Sequence, residues 1–154
     1  MIAVLQRSSN ASVAVNDKII GEIKDGVVVL LGVKKGDSCK DSEYLAQKIS
    51  KLRIFNDKQN KMNLSLKDIS GSALVISQFT LCADTKKGRR PSFINAESPE
   101  LSKKLYNRFI ECLADKGLRV ESGEFGSTMD VKLVNDGPVT FVLDSEEWTK
   151  FDCS

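Results

Sequence analysis

Apolar and polar residues alternate over several short stretches of this chain, and two longer stretches repeat apolar residues at helical spacing. Alternation gives a strand one apolar face, whereas an i, i+4, i+7 stripe lines one face of a helix. Ile2 to Arg7 is predicted as a strand, Ser12 to Val15 as a second and Lys18 to Ile23 as a third. Asn16-Asp17 between the last two is a hairpin turn signal, because both residues tolerate positive φ. Gly26 introduces Val27 to Val33, a continuous aliphatic run that predicts a strand buried on both faces. Leu45, Ile49 and Leu52 form the stripe of an amphipathic helix ending near Phe55, with Asp37, Ser38 and Asp41 as capping candidates. Asn56 to Asn60 is a polar turn, and Lys61 to Leu66 fits neither template alone. Ser72 to Thr80 is predicted as a strand, running on into Leu81, and a polar loop follows from Cys82 to Ala96. Ser98-Pro99 starts a second helix, with Ser as N-cap and Pro at the first helical position. Leu101, Leu105, Phe109 and Leu113 make its apolar face, and Gly117 ends it. Leu118 to Ser122, Met129 to Val134 and Val139 to Leu143 are three closing strands.

The order is β-rich, α, β, α, β-rich, without the regular alternation of a doubly wound sheet. It predicts a single β-rich α/β domain over residues 1–145: two β layers with two helices packed on one side. Residues 146–154 form a loosely attached tail in which Trp148 and Phe151 are the docking candidates.

Composition narrows the chemistry. The 154 residues suit one domain with a real core. A net charge of +2 gives no global field for a polyanion, so nucleic-acid binding has to come from a local cluster. No secretory leader is visible, and the longest apolar run is far short of the roughly 20 residues of a membrane helix. A cytoplasmic protein without membrane contact is expected. Cys39, Cys82, Cys112 and Cys153 have the spacing of neither a zinc site nor a disulfide framework. The chain contains no histidine, which excludes Ser-His-Asp and Cys-His devices and every His-ligated metal. No metal or cofactor is expected, and catalysis falls to main-chain groups, hydroxyls, carboxylates, Lys, Tyr, Cys or the substrate itself.

Three stretches can carry chemistry. Ser77-Gln78-Phe79-Thr80 ends a strand, where main-chain N–H groups can polarise a carbonyl. A Thr80 nucleophile would need a base, and none lies near in sequence. Lys86, Lys87, Arg89 and Arg90 surround Gly88 in a dense basic loop suited to phosphates, and Arg7 is a candidate to join them in space. Val134 to Thr140 reads as strand, corner, strand, with Gly137-Pro138 at the corner. A Pro there removes a donor where pairing should resume. The tight corner leaves carbonyls that can hold a cation. From the residues alone each stretch also has a plain reading: a solvated strand end, a solvated loop and an ordinary turn.

Eight segments in order carry a family resemblance: Gln6-Arg7, Ala11-Ser12-Val13, Leu30 to Val33, Leu52 to Phe55, Lys61-Met62-Asn63, Ser77 to Leu81, Lys87 to Phe93 and Val134 to Thr140. Together they resemble the D-aminoacyl-tRNA deacylases from Met1 to about Ser145. The pairing of Ser-Gln-Phe-Thr-Leu with Asn-x-Gly-Pro-Val-Thr is the specific part. Ser8, Ser127 and Cys82 depart from the commoner residues at their positions, and all three lie outside these two motifs.

The resemblance implies a cytoplasmic homodimer that hydrolyses the ester between a D-amino acid, or glycine, and the terminal adenosine of tRNA. It implies a cis Gly137-Pro138 bond inserted into the partner's active site, with the two carbonyls binding the substrate α-ammonium and excluding L side chains. It places Ser77, Gln78, Phe79 and Thr80 at the ester, with either the Thr hydroxyl or the 2′-hydroxyl of the tRNA assisting. Phe125 and Met129 match pocket-wall positions. Two other readings stay open: a non-catalytic RNA-binding module using the Lys86–Arg90 loop, and a hydrolase of small D-amino-acid esters indifferent to RNA.

Overall fold

A computed structural model of the chain describes residues 1–149. In chain order the elements are β1 (Ile2–Val15), β2 (Lys18–Ile23), β3 (Gly26–Gly32), α1 (Cys39–Lys51), β4 (Phe55–Asn56), β5 (Met62–Leu64), β6 (Ser72–Ser77), α2 (Pro99–Asp115), β7 (Arg119–Ser122), β8 (Asp130–Asp144) and α3 (Glu146–Thr149). A 3-10 turn, Phe79–Cys82, follows β6.

β1 is one strand where two were expected. Ser8, Ser9 and Asn10 interrupt the apolar pattern, and the structure absorbs them as irregularities in the pairing of β1 with β8 rather than as a break. The first half of β1 pairs with β3, from Ile2 opposite Gly32 to Ser8 opposite Gly26. The second half pairs with β2 from Ala11 to Val15. The Asn16-Asp17 hairpin has the expected positive φ values, 49° and 62°. β3 runs parallel to β6, and β6 parallel to β7. The main sheet is therefore ordered β2-β1-β3-β6-β7, with β8 along the other edge of β1.

The two expected β layers are the two ends of this one sheet. Ala3 and Leu5 of β1 join the core under the helices, while Ala11 and Val13 of the same strand join a second core on the opposite face. β3 and β6 lie between the two cores. Val27, Val29, Ala73 and Val75 face the helices, and Val28, Leu74 and Ile76 face the second core. That explains the uninterrupted aliphatic run, since both faces of these strands are buried.

Both helices pack on the same face. Leu45 and Ile49 of α1, with Leu105, Phe109 and Leu113 of α2, close the larger core. Ser38 starts α1 as the cap, its N–H donating to the Asp41 carboxylate at 2.8 Å. α1 stops at Lys51 rather than near Phe55, because Leu52 turns to an extended ψ of 130° and Phe55 enters the small β4–β5 hairpin. Pro99 begins α2 and Gly117, at φ +80°, ends it. The Tyr106 hydroxyl donates to the Val75 carbonyl at 2.8 Å and so ties α2 to β6. Past the core, Trp148 stacks on Tyr44 with 4.5 Å between ring centroids, and Lys34 pairs with Asp144 and Glu146. Trp148 is thus docked on α1; Phe151, the other docking candidate, lies outside the described residues.

Two measurements check this packing. Phe109 is fully buried, so Phe109→Ala is expected to cost about 3–5 kcal/mol in a denaturant titration. Burial pushes the Tyr106 phenol up to about 12. Its folded form holds the proton more tightly than the unfolded chain, so stability falls as pH rises from about 10 to 12. Tyr106→Phe is expected to lose about 1 kcal/mol near neutral pH, for the missing hydrogen bond, and to show a shallower alkaline decline than the unaltered protein.

Candidate active site

The strand expected to run through Thr80 ends at Ser77. The Gln78 N–H makes a last bond to the Leu31 carbonyl at 2.8 Å, and the chain then turns across Gly32. A Cβ on Gly32 would lie 2.9 Å from the Gln78 oxygen and 3.0 Å from Leu81 Cβ, so this crossing needs glycine. The 3-10 turn begins here, with Leu81 N–H bonded to Gln78 O at 3.3 Å. The amides of Phe79 and Thr80 precede the first bond of the turn, so the turn itself gives them no acceptor. They are the donors available to an incoming carbonyl.

Two cavities meet at this turn. The larger, of about 320 Å³, is lined by Ser77, Gln78, Phe79, Tyr106 and Phe125 among others. The smaller, of about 240 Å³, is lined by Ser77, Gln78, Phe79, Ser127 and Met129 among others. The structure therefore brings Phe125 and Met129 to the Ser77–Phe79 segment, one in each cavity. Gly123 lets Met129 approach, since a Cβ there would lie 2.5 Å from the Met129 sulfur. The sequence reading missed Tyr106 and Glu97 as lining residues of the larger cavity. The signal for Tyr106 was a phenol beside the apolar stripe of α2, whose hydroxyl needs a buried acceptor. Glu97 accepts from the Ser98 N–H at 2.7 Å, and that bond holds its carboxyl below the usual range. Ser127 hydrogen-bonds the Glu124 carboxylate at the cavity rim.

The nucleophile candidates are poorly activated. The Thr80 hydroxyl is exposed and accepts from the Gln78 side-chain amide at 2.5 Å. An amide donor removes no proton from it. Cys82 is buried beneath the turn, its thiol bonded to the Val33 carbonyl at 3.4 Å, and burial pushes the thiol up toward its neutral form. Among the described residues no cluster of three or more His, Cys, Asp or Glu could hold a metal ion.

The basic loop is a pinned hairpin. Asp84 and Ser92 exchange two main-chain bonds, at 2.7 and 2.9 Å, and Gly88 sits at the tip with φ +75°. Lys86, Lys87, Arg89 and Arg90 are all exposed around that tip. Phe93, next to the pinned base, contacts Phe79 edge to face at 4.9 Å between centroids. The hairpin and the Phe79–Cys82 turn are thus in direct contact.

Arg7 does not join that hairpin. It is buried, donates to the Ile54 carbonyl at 2.8 Å and pairs with Asp136 at 2.9 Å. Its charge is turned toward the Gly137-Pro138 corner. That corner is an excursion within one long strand rather than a turn between two. Asn135 pairs with Ser8 and Thr140 with Gln6, and the four residues between have no partner in the register. The Gly137-Pro138 bond is cis and Gly137 has φ +120°. The Asn135 side-chain amide bridges the excursion, donating to the carbonyls of Arg7 at 2.9 Å and Val139 at 3.0 Å. Neither Gly137 nor Pro138 lines the two cavities of its own chain.

The sequence model of D-Tyr-tRNA(Tyr) deacylase matches residues 4–144. D-aminoacyl-tRNA deacylases of Fervidobacterium nodosum and Thermotoga petrophila are each 55% identical over 147 residues, which is 96% of this chain and 99% of theirs. A solved structure described as c-Myc DNA Unwinding Element Binding Protein superposes with a TM-score of 0.87 at 40% identity, over 94% of this chain and 98% of that one. A second, described as a probable eukaryotic D-amino acid tRNA deacylase, has a TM-score of 0.79 at 19% identity over 92% and 97%, which speaks to the fold alone. With the model spanning nearly the whole chain and relatives this similar over almost their full length, the chain belongs to the D-aminoacyl-tRNA deacylase family.

Proposed function

We propose that the protein is a cytoplasmic homodimeric ester hydrolase that removes D-amino acids, and glycine, from the 3′-terminal adenosine of tRNA. The observation that carries the mechanism is the braced Gly137-Pro138 excursion, which lies outside its own chain's cavities. Exposed apolar residues mark surface available to a second copy: Phe79 is 60% exposed and Val142 on β8 69%. In the dimer the partner subunit's Gly137 and Pro138 enter the pocket beside Ser77–Thr80. Their carbonyls accept hydrogen bonds from the substrate α-ammonium. With the ammonium and the ester carbonyl both fixed, the two remaining substituents on Cα are assigned to opposite sides. A hydrogen fits against the corner and a side chain does not. D-amino acids present hydrogen there, and glycine presents hydrogen on either side. Selection works by excluding one hand, so the D side chain itself is weakly read.

The ester carbonyl lies against the Phe79 and Thr80 amides, which stabilise the oxyanion. Water attacks the ester carbonyl with the 2′-hydroxyl of the substrate's own adenosine assisting, and the acyl C–O bond breaks as a proton passes to the departing 3′-oxygen, releasing free amino acid and tRNA; this is in keeping with a Thr80 hydroxyl that has no base beside it. The larger cavity, walled by Tyr106 and Phe125, takes the adenine ring. Lys86, Lys87, Arg89 and Arg90 contact phosphates, while Arg7 holds the corner in place.

The direct test is hydrolysis of D-Tyr-tRNA beside L-Tyr-tRNA. Only the D ester should be cleaved; equal cleavage of both, or of neither, contradicts the proposal. Thr80→Ala is expected to stay within about ten-fold of the unaltered rate, because the main-chain donors remain. Abolished activity in a folded Thr80→Ala protein would instead assign the hydroxyl as nucleophile. Gly137→Ala puts a Cβ 2.7 Å from Val139 Cγ2 and 3.1 Å from Arg7 Nη2, at a φ that L residues rarely adopt. It is expected to lower D-Tyr-tRNA hydrolysis by roughly ten-fold or more and to narrow the D-to-L ratio, measured on the same two substrates.

A further inference from the structure

We propose that Phe93, with the Asp84–Ser92 hairpin, forms a stacking platform for the unpaired 3′ end of the tRNA, so that the enzyme reads the last few nucleotides rather than the body. The inference rests on the deacylase reading and extends it to a subsite. Binding of single strands combines an aromatic surface, on which a base stacks, with cations that follow the backbone. Both parts are present and joined. Phe93 is 39% exposed and the adjoining Ile94 66% exposed, an apolar surface on the rim of the catalytic turn. The edge-to-face contact with Phe79 fixes the Phe93 ring 4.9 Å from a residue that lines both cavities. A nucleotide leaving the pocket therefore meets Phe93 next.

The hairpin continues the path. The exposed side chains of Lys86, Lys87, Arg89 and Arg90 make no ion pair among the described residues. The one carboxylate at its base, Asp84, is bonded to the Lys86 N–H at 2.9 Å. The tip lies four residues from either pinned end, a reach of at most about 13 Å. A paired stem offers an aromatic ring no free base face, whereas the unpaired acceptor end does. A peptide partner offers neither the base faces nor the run of negative charge that four unpaired cations select.

The test compares D-tyrosine esterified to full tRNA, to a 3′-terminal tetranucleotide ending in CCA, and to adenosine alone. The tetranucleotide is expected to retain most of the advantage of tRNA over adenosine. Phe93→Ala should reduce the tetranucleotide-over-adenosine preference in kcat/KM by about ten-fold, mainly through KM, and Phe93→Tyr should restore it. Two results would overturn the inference: a tetranucleotide no better than adenosine, or a Phe93→Ala protein weakened equally on all three esters, which would make the ring only a prop for Phe79. Absence of cleavage of all three esters by the unaltered protein would remove the deacylase reading itself, and the subsite with it.

Discussion

One buried guanidinium ties together the parts of the chain on which the proposed selection depends. Arg7 sits on β1, reaches the β4–β5 hairpin through the Ile54 carbonyl, and pairs with Asp136 beside the cis corner. Burying a charge is costly unless it is paired and hydrogen-bonded. Here the cost is offset by a neutral acceptor, the Asn56 side chain at 3.4 Å and the Asp136 carboxylate. Asp136 remains half exposed and solvated, so this is a half-buried pair and not an isolated ion in the core. The same arrangement fixes geometry. Gly137 has no room for a side chain toward Arg7, and Asn135 clamps the excursion from the other side. A corner proposed to exclude a methyl group from one side of a substrate cannot be soft, and these contacts stiffen it.

Chemistry without histidine follows from the same economy of groups. The reacting ester is activated already, so orientation and oxyanion stabilisation supply much of the needed acceleration. In the proposed mechanism the chain provides them with main-chain atoms: amides at the start of the Phe79–Cys82 turn and carbonyls at Gly137-Pro138. Main-chain groups are held by the fold rather than by rotamers. Their placement therefore rests on backbone crossings such as Gly32 under Gln78, where a larger residue would displace the turn. Cys82, directly beneath, serves packing and stays protonated.

Much of this architecture was legible in the residues. The aliphatic run of β3, the Asn16-Asp17 hairpin and the Ser98-Pro99 start of α2 each follow from a local rule, and each local rule agreed with the tertiary environment. The misses arose where tertiary pairing overrode a local break. Ser8 to Asn10 looked like a gap, yet β8 pairs on both sides of it and keeps β1 continuous. Asn135 to Thr140 looked like a turn for the same reason. Strand character past Ser77 was plausible from Phe79 and Thr80, but the crossing over Gly32 imposes a 3-10 turn that no pattern of side chains announces. In the site, Ser77–Phe79 was identifiable from a motif and Phe125 and Met129 from the family resemblance, and they do meet in space. The position of Arg7 was not readable, because its burial depends on Ile54 and Asp136, residues 47 and 129 positions away.

The central claim is that a pocket from one subunit and a corner from the other make each active site, and co-expression of two defective chains measures it directly. One chain carries a substitution in the Ser77–Thr80 pocket that abolishes D-Tyr-tRNA hydrolysis, and the other carries a substitution at Gly137-Pro138 that does the same. In a mixed dimer one site combines the intact pocket with the intact corner, so random pairing is expected to restore about a quarter of the unaltered activity. A mixed dimer no more active than either parent would place pocket and corner in the same chain and contradict the account.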